Sequence, residues 1–110
     1  MAKEKSYHEM KRNEAYPLVV TCLTSSGEAY NIDEAWFEVL DVDGTSVVDI
    51  TQCDVETNKA SAPIDSTVTA NLGKYYVKYR IIRDTDPSTG LSIDPPYVFY
   101  HKIELVVREV

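Results

Sequence analysis

The sequence predicts an all-β fold, a small antiparallel sandwich. Apolar and polar residues alternate with period two through most of the body of the chain. Strand candidates recur about every ten residues with turn chemistry between them. No window holds an i, i+3, i+4, i+7 apolar stripe long enough for a core helix. An open barrel is the structural alternative. At 110 residues the chain is one domain, or one domain with a tail.

Residues 1–14 stand apart as a charged N-terminal arm. Lys3, Lys5, Lys11 and Arg12 outnumber Glu4, Glu9 and Glu14, and the apolar content is Ala2, Tyr7 and Met10 with no period. Two readings are open: a frayed leader, or an arm that orders against a partner. Residues 15–110 form the body. From Tyr16 the pattern has period two, and Pro17 to Thr24 is a β-branched run closed by Ser25-Ser26-Gly27-Glu28. Pro17 cannot donate to a central ladder, so this strand starts there or lies at an edge. Ala35 to Val42 is the next strand, ending at Asp43-Gly44, the preferred pair for a two-residue type I′ hairpin. Thr45 to Ile50 then returns antiparallel.

Gln52–Val55 and Pro63–Val68 are shorter candidates, separated by the polar run Glu56 to Lys59. Between Gly73 and Arg83 the alternation is clean: Tyr75, Val77, Tyr79 and Ile81 face a core, and Lys74, Lys78 and Arg80 face water. Asp84 to Pro96 reads as a long, breaker-rich loop. Tyr97 to Val107 is the last strand, with Tyr97, Phe99, Ile103, Leu105 and Val107 on one side and His101 in the same register. Six to seven strands in this length fit an immunoglobulin-like β-sandwich.

Composition narrows the function. Eighteen acidic residues against eleven basic give a net charge of −7, which argues against a nucleic-acid groove, where each phosphate contact needs a cation. From 12.4 kDa, size scaling gives roughly 18,000 Å² of surface unfolded and roughly 6,000 Å² folded, enough burial for a core without metal or disulfide staples. No run of eighteen apolar residues is present and the first residues carry no apolar signal core, so neither a membrane span nor a secretory leader is expected. Cys22 and Cys53 lie in apolar segments with no C-x-x-C and only two histidines in the chain, so they read as buried thiols. A cross-strand disulfide and a reactive thiol are the alternatives. The reading implies folding in a reducing compartment.

Catalytic patterns are missing from the sequence: there is no G-x-S-x-G, Walker loop, H-E-x-x-H or dinucleotide fingerprint. Any nucleophile–base pair would have to join Cys22 or Cys53 to His8 or His101, and none of these sits on a displayed loop. His101 reads as a packed or hydrogen-bonded histidine. The expectation is a protein without enzymatic activity and without a cofactor. Asp41-Val42-Asp43-Gly44 and Asp84-Thr85-Asp86 each hold half of a calcium loop but lack its third aspartate and distal glutamate. They read as turn residues and solvated charge, with the Asp84–Asp94 loop the best place for a cation if one binds. No metal ligand is assigned, and Asp84, Asp86, Asp94 and Tyr97 are the loop's candidate contacts with a neighbour.

The outward faces carry more information. If Ala35, Phe37 and Val39 point inward, then Trp36, Leu40 and Val42 point outward around Glu38. On the last strand Val98, Tyr100 and Val106 fall opposite the core set. Either these residues meet another subunit, or both faces are covered within the domain, or the register is one residue off and the faces exchange.

Taken whole, residues 15–110 resemble the immunoglobulin-like domain of tailed-phage structural proteins, of the type at the N-terminus of baseplate upper proteins. The resemblance rests on Tyr16-Pro17-Leu18-Val19-Val20, on Asn31 to Gly44, on Gly73-Lys74-Tyr75-Tyr76-Val77-Lys78-Tyr79, and on Ile103-Glu104-Leu105-Val106-Val107. The long Asp84–Pro96 loop and the charged leader depart from that pattern. The resemblance implies a virion structural or assembly module, associated with baseplate, tail or capsid and folded in the host cytoplasm before assembly. Its partners would be other virion proteins and further copies of itself, with no nucleic acid or membrane. Its contacts would run through Trp36, Leu40, Val98, Tyr100 and Val106, through the 84–96 loop, and through Lys11 and Arg12 of the arm. The alternative is a carbohydrate- or ligand-binding sandwich using its eight tyrosines and one tryptophan.

Overall fold

A computed structural model describes residues 7–86 and 88–109. Eight strands and one short helix follow in order: β1 (His8–Lys11), β2 (Tyr16–Thr21), β3 (Glu34–Asp41), β4 (Ser46–Gln52), β5 (Asp54–Glu56), β6 (Lys59–Ile64), α1 (Ser66–Thr69), β7 (Gly73–Thr85) and β8 (Ser92–Arg108). They form two layers, a five-stranded sheet in the order β1-β8-β7-β3-β4 and a three-stranded sheet in the order β2-β6-β5. The all-β expectation is met. All neighbours are antiparallel except β1, which runs parallel to β8.

The inward faces follow from the period-two pattern. Ala35, Phe37 and Val39 of β3, Tyr75, Val77, Tyr79 and Ile81 of β7, and Leu105 and Val107 of β8 are buried from the larger sheet. Leu18, Ala60, Ala62 and Ile64 meet them from the smaller one. The Tyr79 hydroxyl crosses the core and donates to the Leu18 carbonyl at 2.9 Å, so the largest fully buried side chain leaves no polar atom unmatched. At the entry to β7, the Tyr75 hydroxyl donates back to the Asn71 carbonyl at 3.1 Å and pins the connection from α1.

Several local expectations change. His8–Lys11, read as part of a free arm, is a strand of the larger sheet: Met10 pairs with Val107 and is fully buried. A single apolar residue among charges is all that an edge strand with one buried position needs. The segment after it is tied to α1, since the Asn13 N–H donates to the Thr69 carbonyl at 3.0 Å and the buried Thr69 hydroxyl donates to the Glu14 carbonyl at 2.7 Å. Residues 1–6 of the expected arm lie outside the described residues.

The β3–β4 hairpin forms where Asp43-Gly44 placed it, but not as a type I′ turn. That form needs positive φ at both central residues, and only Gly44 has it, at 83°. The Asp41 carboxylate accepts from the Asp43 and Thr45 N–H groups at 2.9 and 3.0 Å. A three-residue loop, Val42-Asp43-Gly44, results. The candidate strand Pro63–Val68 is instead the end of β6 and the start of α1. Asp65 stops the strand there by accepting from the Thr67 N–H at 2.8 Å as an N-cap. Glu56 to Lys59, read as a separator, is the tight tip of the β5–β6 hairpin, with Thr57 at φ 54°.

The 84–96 loop is also shorter than expected. β7 runs to Thr85 and β8 begins at Ser92, and the tip closes with Asp86 N–H donating to the Leu91 carbonyl at 2.8 Å. The ladder slips between Arg83, opposite Tyr97, and Thr85, opposite Ser92, so Ile93 to Pro96 bulge out of it. Pro95 and Pro96, which cannot donate to a ladder, sit in that bulge. Pro17 is the second residue of β2, which lies at an edge as expected, and it pairs with Pro63 where β5 no longer flanks β6.

Candidate functional site: an open seam and an outer sheet face

The two sheets differ in length, and this opens a seam between them. Among the described residues β1 covers β8 only over Leu105–Arg108, so β8 has β7 on one side and no described strand on the other from Tyr97 to Glu104. Across from it, β2 pairs with β6 alone. The inward-facing row of β8 therefore changes character along its length. Leu105 and Val107 are buried, but Phe99 is 46% exposed and Tyr97 54%. The sequence placed all of these on the core side. The smaller sheet is too short to cover the upper half.

A groove of about 710 Å³ lies along this seam. One lip is the end of β2 and the chain after it, with Val19, Cys22 and Leu23; the other is Phe99, His101 and Ile103, and Tyr30 stands between them. Tyr30 meets Phe99 edge-on, centroids 5.5 Å apart, and the Arg83 guanidinium lies 4.2 Å from the Tyr30 centroid. The cation thus stacks on the ring and props it toward the seam. Cys22 holds its place through the Asn58 side-chain amide, which donates to the Cys22 carbonyl at 2.9 Å.

Both cysteines are free thiols. Cys53 is buried, and desolvation, then the Asp54 charge, pushes its thiol up to about 12. Cys22 is half-buried on the groove and is raised by burial. His101 is exposed rather than packed, with its ring 6.3 Å from that of Tyr79. His8, far from the groove's lining, has Nε2 2.6 Å from the Tyr16 hydroxyl. The structure therefore does not bring either histidine into a hydrogen-bonded pair with a cysteine.

On the side facing away from the smaller sheet, register builds a second surface. Trp36 of β3 lies opposite Arg80 of β7, and Arg80 opposite Tyr100 of β8. These three residues, with Ile50 and Lys78, line a shallow concavity of about 160 Å³. Trp36 donates from Nε1 to the Glu34 carboxylate at 3.2 Å and Tyr100 is 76% exposed. One row further, Lys102 Nζ stands 4.9 Å from the Tyr76 ring centroid. Leu40 lies across from Tyr76, Val98 across from Ile82, and Val106 across from Lys74, all half-buried. Lys74 is engaged by Glu104 at 2.9 Å. The face thus mixes aromatic rings with cations on a chain that is acidic as a whole.

The remaining predicted contacts scatter. Arg12 is bound into the domain, donating to the Ala70 carbonyl at 3.2 Å and pairing with Glu109 at 3.3 Å. Lys11 is exposed at the far end of β1. Asp86 caps its own turn, accepting from Ser88 N–H at 2.9 Å, and Asp84 accepts from the Thr85 hydroxyl at 3.2 Å. Asp94 is exposed in the bulge. Among the described residues no cluster of three or more potential ligands could hold a metal ion. No helix is long and apolar enough to cross a membrane.

Sequence reasoning missed Tyr30, Cys22 and Leu23 as groove residues, and Tyr76, Arg80 and Lys102 as neighbours of Trp36 and Tyr100. Period two assigns a face to each residue but not which strands lie side by side. Register, which decides that, carried no signal readable from one chain. Comparison of the chain with protein-family models, curated proteins and solved structures finds no match.

Proposed function

We propose that the chain is a non-enzymatic assembly module, an immunoglobulin-like sandwich that holds neighbouring subunits through a sheet face and an open strand edge. The topology supports the fold reading. In that architecture one sheet carries strands A, B, E and D and the other G, F and C, with C′ added in variable-type domains. Here β2, β6 and β5 take the places of B, E and D, and β8, β7, β3 and β4 those of G, F, C and C′. Among the described residues no strand takes the place of A in the smaller sheet, and β1 pairs with β8. Tyr75, bonded back to Asn71 at the start of β7, has the geometry of the tyrosine corner. Val77, two residues on, stands where antibody domains place a disulfide cysteine. Hydrophobic packing replaces that bridge.

The observation that carries the functional reading is the row Trp36, Arg80 and Tyr100 across three strands of the outer face. Tryptophan, tyrosine and arginine are the residues most often found at the energetic centre of interfaces. A rigid sheet presents them without an ordering cost. The phage resemblance supplies the setting: a virion part, associated with baseplate, tail or capsid, that contacts other virion proteins. The test is quantitative mass spectrometry of purified particles. The chain is expected at a fixed copy number, and a folded Trp36→Asp variant supplied in trans is expected to fail to incorporate. Particles without the chain would overturn this reading. The groove favours a second reading, a ligand-binding sandwich, because it sets Tyr30 and Phe99 beside a cavity. Binding on a glycan array, lost in Tyr30→Ala, would favour it.

A further inference from the structure

We propose that two copies of the chain pair antiparallel through the open edge of β8, across a twofold axis at Tyr100, so that each copy closes the other's seam. The inference rests on reading the chain as an assembly module and names one of its partners. An edge strand with no neighbour offers a row of N–H and C=O groups, and another copy of the same edge satisfies it isologously.

Three features point to a second copy. First, the window Tyr97–Glu104 is bounded. Pro96 and the bulge end it on one side, and β1, already paired with Leu105, ends it on the other. Second, the window contains one cation, Lys102, and one acid, Glu104, within a chain of net charge −7. Two copies can meet there without adding to the repulsion that would oppose contact elsewhere. Third, parity restricts the register. Opposed residues must share a face, so a twofold can pass through Tyr100 or His101 but not between them.

An axis at His101 would set the partner's Tyr97 against Leu105, where β1 stands. An axis at Tyr100 avoids this, because the partner strand leaves the ladder at Pro96. In that register Tyr97 opposes Ile103 and Phe99 opposes His101 on the groove side. Val98 opposes Lys102 and Tyr100 opposes itself on the outer side. The half-exposed Phe99 and Tyr97 of each copy then lie over the other's groove, against Val19, Cys22 and Leu23. The result joins two five-stranded sheets into one and closes the open β8 edge of each copy, leaving β4 at the outer edges.

The test combines mass, thiol access and crosslinking on the full chain. Light scattering is expected to show mass rising from 12.4 kDa toward twice that with concentration. Over an about hundredfold series centred on the dissociation constant, alkylation of Cys22 is expected to slow roughly fourfold by mass action. Phe99→Lys, which sets charge into the paired row, is expected to remain monomeric with an unchanged circular dichroism spectrum. Leu91→Lys, at the exposed hairpin tip, is expected to dimerise normally. Tyr100→Cys is expected to form an interchain disulfide under oxidised glutathione, since opposed Cα atoms about 4.5–5.5 Å apart suit that bond. A chain that stays monomeric throughout, or a dimer that survives Phe99→Lys, would overturn the proposal. Concentration-independent protection of Cys22 that vanishes on deleting residues 1–6 would assign the groove to the chain's own N-terminal segment and overturn it too. None of these results touches incorporation into particles, which is measured separately.

Discussion

Tyr79 and Tyr75 show how single hydroxyls hold this sandwich. Both rings are core side chains whose polar ends reach backbone carbonyls, one across the sheets and one within a corner. Tyr79→Phe removes a hydrogen bond made deep in the core, from a carbonyl that also sits in the β2–β6 ladder, and should cost about 1.5 kcal/mol, against about 0.5 for the half-buried bond lost in Tyr75→Phe. Urea unfolding of the two variants checks the order. Cys53 sets a limit on the alkaline side. Its folded value of about 12 lies above the unfolded one, so its contribution is complete below the unfolded value and is lost as pH rises toward 12. Burial raises Tyr79 as well, which extends the loss upward. The fold should weaken above about pH 9, where unfolded thiols begin to ionise, and Cys53→Ala should remove the first part of that decline. On the acid side Asp65 acts with the opposite sign. The Thr67 N–H holds its carboxyl below the usual range, so its contribution is present above the unfolded value and lost as pH falls through the folded one. Asp65→Ala should cost about 1 kcal/mol near neutrality and flatten the acid limb of a stability–pH curve.

At the scale of elements, β1 is the clearest case of structure the chain did not advertise. Its sequence, His-Glu-Met-Lys, offers one apolar residue, yet that residue fills the base of the core beside Val107. Met10→Ala should therefore cost about 2–5 kcal/mol, a core-sized loss measurable by thermal or urea unfolding. A value near zero would return the segment to the status of a tail. β7 was legible because four inward apolar residues alternate with cations over a long run. The β3–β4 hairpin was legible in place because Asp-Gly marks a reversal, but its form was set by the Asp41 carboxylate. The β5–β6 hairpin was hidden, since two of its three buried positions are the alanines Ala60 and Ala62, too small to stand out in a pattern. The inward parity of Tyr97, Phe99 and His101 was legible too. Their exposure was not, because the length of the opposing sheet depends on where β2 and β6 end.

For the whole molecule, an absent strand links fold to proposed function. The smaller sheet stops at β2, the larger is capped by β1 only at its base, and the seam between them stays open beside the upper half of β8. Among the described residues that arrangement leaves unpaired backbone, half-exposed aromatics and a free thiol along one line. On the outer side the same strand contributes Tyr100 to the row with Trp36 and Arg80. An assembly role uses both surfaces of β8 at once: its edge for a second copy and its outer face for other neighbours. Hydrogen–deuterium exchange at several protein concentrations tests this most directly. In dilute solution the edge-facing amides between Tyr97 and Ile103 should exchange fast while those of β7 and of Leu105–Arg108 stay slow, and raising the concentration should slow that window alone. Slow exchange of the window at every concentration, or new protection confined to another part of the molecule, would contradict the account.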